Sequence, residues 1–208
     1  MPRSKEGLVR LLKRQRIDPR VVEAFTRVAR VDFVPEAARA EAYSDRPVVL
    51  PEGQTTSQPS LIARMIEAAK VGPRDRVLEV GTGFGYQTAL LAQLADQVVS
   101  IERSALLAEQ ARKNLEQAGI EKVAVLVGDG WKGVPEEAPF DAIVVSAAAT
   151  EVPPALQDQL AEGGRLVIPV KGASSDEVLL FVRRGGSVER IALLTPARFV
   201  PLVKDGVQ

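Results

Sequence analysis

The ten residues 77–86, VLEVGTGFGY, constrain this chain more than any other stretch. An apolar run carrying one acid, Glu79, leads into Gly81, Gly83 and Gly85 at alternate positions, and a helix-like stretch, 87–95, follows. That order reads as a first β-strand, a tight turn and the start of a helix in a nucleotide-binding α/β unit. Alternating glycines let the backbone turn at positive φ and let a ligand lie directly against the main chain. The spacing is G-x-G-x-G, and Tyr86 stands where the dinucleotide fingerprint G-x-G-x-x-G has its third glycine. A pyrophosphate sits on a helix N-terminus, whereas an acid two residues before the turn suits a cationic ligand such as an amino-acid ammonium. Taken alone, the glycines also fit a bare structural turn.

Length and composition narrow the class. The 208 residues make one generous domain. Lysine plus arginine and aspartate plus glutamate both number 27, so no global field draws in nucleic acid or an acidic membrane, and neither partner is expected. No long apolar run occurs and the start, MPRSKEGLVRLLKRQ, has no signal-peptide core, so a cytoplasmic location is expected. Cysteine and histidine are both absent. That removes disulfides, thiolate nucleophiles, imidazole bases and the usual metal ligands, and no metal site is expected. The chemistry left to carboxylates, hydroxyls, amines and backbone favours a nucleophile that arrives already ionised.

In chain order, residues 4–16 and 18–30 read as two short helices, the second opened by Asp18 as cap and Pro19 at the first position. Residues 36–58 lack a period and carry Pro47, Pro51 and Gly53, which predicts a loop layer with at most a short strand at 48–50. The loop ends in Gln54, Thr55, Thr56, Ser57 and Gln58, before a helix from Pro59 faced by Ile62, Met65, Ile66 and Ala69. Ser57 or Gln58 suits a helix cap; equally, the hydroxyls could form a carboxylate-binding rim if the loop folds over the glycine turn.

Strands are predicted at 76–80, 97–101, 123–127, 140–145 and 165–170, with helices at 86–94, 104–118 and from 153 through 160, and an antiparallel hairpin at 177–183 and 187–194. Glu102 ends the second strand about twenty residues after the first glycine, the place of an acid that accepts from ribose hydroxyls. Asp129, between Gly128 and Gly130, fits either an adenine amino contact or a plain Asp-Gly turn. Ser146 and the alanines after it make a small-residue surface for close approach of a ligand. The fold class is α/β: a doubly wound, Rossmann-like, mostly parallel sheet with a C-terminal antiparallel hairpin and an N-terminal helical appendage. One domain is expected, with N-terminal helices and active-site loop at 1–58, an α/β core at 59–170 and C-terminal strands at 171–208.

The glycine variant with its acid resembles S-adenosylmethionine-dependent methyltransferases. Over nearly its full length the chain resembles protein-L-isoaspartate O-methyltransferases, in GQTTSQP (53–59), LEVGTGFGYQTALLA (78–92), VSIE (99–102), GDGW (128–131), FDAIVVSAAATEVPPAL (140–156), GGRLVIPV (163–170) and RFVPL (198–202). The resemblance implies methyl transfer from S-adenosyl-L-methionine, leaving S-adenosyl-L-homocysteine, to the α-carboxylate of L-isoaspartyl residues in damaged proteins. The ester then collapses through a succinimide toward normal aspartate. It implies that Ser57 orients the substrate carboxylate, supported by Thr55 and Thr56, and that main chain at Phe199 and Val200 pairs with the substrate peptide. Cofactor contacts are implied at Gln54, Thr56, Ser57, Glu79, Gly81, Thr82, Gly83, Gly85, Tyr86, Glu102, Arg103, Asp129, Gly130 and Ser146. A single chain acting as a monomer is expected.

Ser60 departs from the pattern, standing where many relatives carry histidine or tyrosine, and the tail after Leu202 is short. Two other readings share the cofactor half: a methyltransferase for RNA or a small molecule, and a cofactor-binding scaffold without turnover. Against the first stand the zero net charge and, after the fourth strand, SAAA in place of an N/D-P-P-Y/F tetrad; against the second stands the intact set of Glu79, the glycines, Glu102 and Asp129.

Overall fold

The computed structural model describes residues 2–204; the end of the short tail lies outside them. The N-terminal layer holds α1 (Lys5–Arg14) and α2 (Pro19–Arg27), then two 3-10 turns and a small antiparallel pair, β1 (Val48–Val49) with β2 (Thr55–Thr56). The helix α3 (Pro59–Ala69) leads into the main alternation of β3 (Arg76–Val80), α4 (Tyr86–Ala92), β4 (Gln97–Glu102), α5 (Ala105–Gln117) and β5 (Val123–Val127). Next come β6 (Phe140–Val145), the short α6 (Pro154–Asp158), β7 (Leu160–Lys171), β8 (Asp176–Arg184) and β9 (Ser187–Ala197).

Seven strands form one sheet in the order β5-β4-β3-β6-β7-β8-β9. The first five are parallel, β8 pairs antiparallel with β7, and β9 antiparallel with β8. The parallel strands read as nearly unbroken apolar runs because both faces are covered. Along β3, Val77 joins a core with α1 to α5 on one face, while Leu78 and Val80 join a second core with Leu156 and Phe140 on the other. Because β3 is flanked by β4 on one side and β6 on the other, the direction in which successive strands are added to the sheet reverses there. The crevice at the carboxyl ends of β3 and β6 is where open α/β sheets bind ligands.

The structure fills one crossover that the sequence reading left open and changes two of its expectations. The crossover from β5 to β6 contains no α-helix; a 3-10 turn (Pro135–Glu137) and the Trp131 side chain fill that place. The helix expected to run to residue 160 stops at Asp158, and β7 begins at Leu160. Neither Ser57 nor Gln58 caps α3 by its side chain. Asp45, in the loop before β1, accepts from the Ser60 amide at 2.9 Å instead, so a distant residue satisfies the helix end. Among the described residues no helix is long and apolar enough to cross a membrane.

Candidate active site

The glycine turn is built from β3 and β4 together. Gly81 N–H donates to the Ile101 carbonyl at 2.8 Å and Gly85 N–H to the Thr82 carbonyl at 2.9 Å. Gly81 has φ +93, and a Cβ on it would stand 3.4 Å from that of Ser146. The backbone therefore passes close to the loop after β6 in a conformation that a residue with a side chain rarely adopts.

Glu79 lies behind this turn. It is 0% exposed, and its β4 partner in register is Ser100. Its carboxylate accepts from Thr88 Oγ1, from Ser100 Oγ at 2.7 Å and from Gln87 Nε2 at 3.1 Å. Burial raises its pKa from the usual 4.5 to about 7, against the pull of those hydrogen bonds. Since the Ser100 hydroxyl proton is directed at Glu79, Thr82 Oγ1, at 2.6 Å, is the donor to Ser100 Oγ. Gln87 also donates to Ser146 Oγ at 2.9 Å. The sequence suggested an ammonium partner for Glu79; the structure instead places its carboxylate out of reach of the cleft, bracing Thr82 directly through Ser100 and Ser146 through Gln87. The alternation of β3 turns it to the covered face, which the acid-before-glycine pattern alone does not reveal.

Glu102 is at the cleft. Its two oxygens accept from the Gly83 and Ser104 amides at 2.9 and 3.0 Å. A carboxylate has about four lone-pair sites, so the orientation is fixed with acceptor capacity to spare. The cleft holds about 440 Å³ and is lined by Gln54, Thr55, Gly81, Gly83, Glu102, Arg103, Gly130, Ser146 and the 200–203 segment, with Leu107 and Ile101 as apolar wall. That size suits a small-molecule site. Gly130 needs its bareness: a Cβ there would come 2.4 Å from Val80 Cγ1. Asp129 itself is nearly buried and accepts from the Trp131 amide at 2.9 Å, closing the turn that presents Gly130.

Tyr86 is core. Its ring is packed against Phe25 and Phe33 and lies beneath the Arg30 guanidinium, 5.6 Å from the ring centroid, and burial pushes its hydroxyl pKa upward. Only its main chain is left to face a ligand. Arg30, which sequence reasoning did not single out, is 0% exposed and donates to the carbonyls of Ala42, Ser44, Arg46 and Ser57 at 2.9 to 3.2 Å. One cation thus gathers the irregular 42–57 segment and sets its last turn beside the glycine loop.

Thr55, Thr56 and Ser57 line a narrow space against Gly81, Thr82, Gly83, Gln87 and Ser146. On its other side Thr55 and Ser57 also wall a groove of about 250 Å³ with Gln58, Ser60, Arg64, Thr195 and Arg198. The cleft and the groove therefore meet at the hydroxyl rim.

The 199–202 segment runs beside the loop after β6. Ala148 N–H donates to the Val200 carbonyl and Leu202 N–H to the Ala148 carbonyl, both at 2.8 Å. Phe199 N–H donates to Asp176 at 2.8 Å, and Trp131 Nε1 to the Leu202 carbonyl at 3.0 Å. The main chain expected to pair with substrate is thus half committed inside the molecule, because this segment is pinned between β8 and the sheet's carboxyl edge. The Phe199 carbonyl and Val200 N–H take no hydrogen bond among the described residues.

The family model for protein-L-isoaspartate(D-aspartate) O-methyltransferase matches residues 3–206. A protein-L-isoaspartate O-methyltransferase of Methanoculleus marisnigri is 50% identical over 186 residues, 89% of this chain and 84% of its own. One named protein-L-isoaspartate O-methyltransferase 2, from Marinobacter nauticus, is 51% identical over 189 residues, 90% and 86% of the two chains. A solved protein-L-isoaspartate O-methyltransferase superposes with TM-score 0.86 at 32% identity, across 95% of this chain and 65% of that one. A Plasmodium falciparum protein described as such an enzyme, solved with S-adenosyl-L-homocysteine, superposes with TM-score 0.84 at 27% identity, over 99% of this chain and all of its own. The chain belongs to the protein-L-isoaspartate(D-aspartate) O-methyltransferase family.

Proposed function

We propose that this protein is a repair methyltransferase that esterifies the α-carboxylate of L-isoaspartyl residues in damaged proteins with the methyl of S-adenosyl-L-methionine. The observation that carries this reading is that the cleft and the groove share Thr55, and that Ser57, in the groove wall, also lines the narrow space against Gly81, Gly83 and Ser146. A carboxylate entering by the groove is delivered to the rim from one side while the cofactor lies on the other. The relative solved with S-adenosyl-L-homocysteine supports the cofactor assignment.

The cleft's residues fit such a cofactor. Glu102 offers spare lone pairs for a ribose diol, Gly81 and Gly130 present bare backbone, and Ile101 and Leu107 cover an apolar ring. When bound, the sulfonium supplies an electrophilic methyl. The residues of the chain do the positioning. Glu102 and Arg103 orient the ribose side, and Gly130, presented by the Asp129 turn, the adenine side. The glycine loop, with Thr82 and Ser146 braced by the Glu79 network, holds the amino-acid end together with Gln54 and Thr56. Ser57 donates to the substrate carboxylate, with Thr55 beside it. The free Phe199 carbonyl and Val200 N–H are left to take the peptide backbone.

A carboxylate is ionised at neutral pH, so the step needs no general base, which suits a chain without histidine or cysteine. Rate comes from in-line positioning and from stripping water off the carboxylate in the closed rim. We further infer that the protein acts as a monomer in the cytoplasm, and on protein rather than nucleic acid, the last supported by its balanced charge.

The test is transfer of labelled methyl to matched peptides carrying L-isoaspartate or normal aspartate at one position. A base-labile ester on the isoaspartyl peptide alone is the expected result. Ser57→Ala is expected to keep cofactor affinity and to lower turnover sharply; unchanged turnover would remove that hydroxyl from the reaction.

A further inference from the structure

The groove beyond Ser57 has a chemical character that the methyl-transfer step does not require. Its two long side chains are Arg64, on the exposed side of α3, and Arg198, just past the end of β9. Neither makes an ion pair or a hydrogen bond among the described residues, and both are exposed. The remaining polar lining consists of neutral groups: Ser57, Ser60, Thr195 and the amide of Gln58, with Thr55 at the rim. Among the described residues no acidic side chain lines the groove. The acids around it lie outside its wall: Asp45 accepts from the Ser60 amide, Asp176 from the Phe199 amide and Glu67 from the Asp18 amide, and Glu177, opposite Pro196, pairs with Arg190. Two guanidinium groups converging from separate elements on one recess, with hydroxyls between them and no counter-charge in the wall, form a carboxylate-attracting surface.

We propose that this groove is a flanking subsite for a second carboxylate, so that the enzyme favours isoaspartyl sites next to an aspartate, a glutamate or the substrate's own C-terminus. The inference rests on the proposed methyl-transfer reading, because that reading places the reacting carboxylate at Ser57, on the groove's inner wall. A peptide held there runs its neighbouring residues past Arg64 and Arg198. The guanidinium charges are solvated, so the effect is one of selection among substrates and not a condition for reaction, and it is screened by salt.

The experiment compares kcat/KM for three isoaspartyl peptides, with uncharged flanks and amidated ends, with one added glutamate beside the isoaspartate, and with one added lysine. A fourth has neutral flanks and a free C-terminal carboxylate close to the isoaspartate. The glutamate peptide is expected to exceed the neutral one by about three- to tenfold and the lysine peptide to fall below it, as weak screened pairs allow. The preference should shrink toward unity at about 1 M salt, where the screening length is about 3 Å. In Arg64→Gln, Arg198→Gln and the double variant the ratio of glutamate to neutral peptide should fall stepwise, a readout that a general loss of structure does not move. The free-acid peptide separates recognition of a chain end from recognition of a side chain; either gain supports the subsite. Equal kcat/KM for all four peptides, or a ratio unchanged in the double variant, overturns this inference and leaves the repair reading intact. Failure of even the neutral isoaspartyl peptide to accept methyl overturns the repair reading itself.

Discussion

Arg30→Met isolates the clamp that holds the hydroxyl rim in place. Methionine keeps the length and apolar stem of the side chain but removes donors to four carbonyls, those of Ala42, Ser44, Arg46 and Ser57. The costs are unequal. Ala42 is 0% exposed, so its carbonyl loses its donor where water is excluded, which costs about 1–3 kcal/mol. The other three bonds lie in part-buried surroundings, where water can replace the lost donor at about 0.5–1 kcal/mol each. Against this, the variant no longer desolvates a cation, a penalty that already lowers the pKa of Arg30 through burial. The balance is a destabilisation of about 2–4 kcal/mol. For a chain of this size that lowers the melting temperature by about 4–16 °C.

The catalytic effect should exceed what stability accounts for. Arg30 touches none of the cleft's polar wall at Glu102, Gly81 or Gly130, but the segment it gathers also carries Gln54 and Thr56, so affinity for S-adenosyl-L-homocysteine by calorimetry should fall by less than about tenfold, within about 1.4 kcal/mol. The rim carries Ser57, the hydroxyl proposed to orient the substrate carboxylate, and a displacement near 1 Å would cost about a hundredfold in turnover. Arg30→Lys, which keeps the charge but not the planar fork, should fall between. Wild-type melting temperature and kcat in Arg30→Met would refute the clamp. So would parallel loss of cofactor affinity and turnover, because the segment would then be supporting the cleft as a whole.

The buried Glu79 makes stability depend on pH. Its pKa in the folded protein is raised to about 7, so its favourable contribution is complete below about pH 4.5 and is lost as pH rises through 7. Glu79→Gln should therefore flatten the decline in stability between pH 4.5 and 8 by up to about 3 kcal/mol in denaturant titrations; parallel curves would mean that Glu79 ionises as freely folded as unfolded. Gly130→Ala places a methyl 2.4 Å from Val80 Cγ1 and 3.2 Å from Leu202 Cδ1, both in the cleft wall. It should cost about 1–3 kcal/mol of stability by overpacking and weaken S-adenosyl-L-homocysteine binding about tenfold. Undiminished affinity would show that the wall yields away from the ligand.

The amino-acid order is legible wherever neighbouring residues decide the outcome. Apolar runs bounded by glycine and proline placed β3 to β6 to within a residue, though not β2, and the alternate glycines announced the turn at 81–85, because strand alternation and positive φ are local properties. The place of Glu102 at the cleft was legible for the same reason: it ends the strand next to the glycine turn. Gln87 left a weaker trace, a polar residue in the first turn of an otherwise apolar helix. The partners of Glu79 left less, since Thr88 and Ser100 look unremarkable until β3 and β4 are in register.

Composition and pattern by themselves determined the α/β class, the glycine turn, the acid beside it and the absence of imidazole and thiol chemistry. Tertiary structure alone decided which acid lines the cleft and which is enclosed behind the glycine turn. It also decided that Asp45 caps α3, that Arg30 ties four carbonyls into a rim, that the 199–202 segment commits half its main chain to Ala148 and Asp176, and that Arg64 and Arg198 share one groove. Each of these joins residues distant in sequence. Their meeting is set by how helices and loops pack on a sheet, and that packing leaves no period or motif in the order of the amino acids.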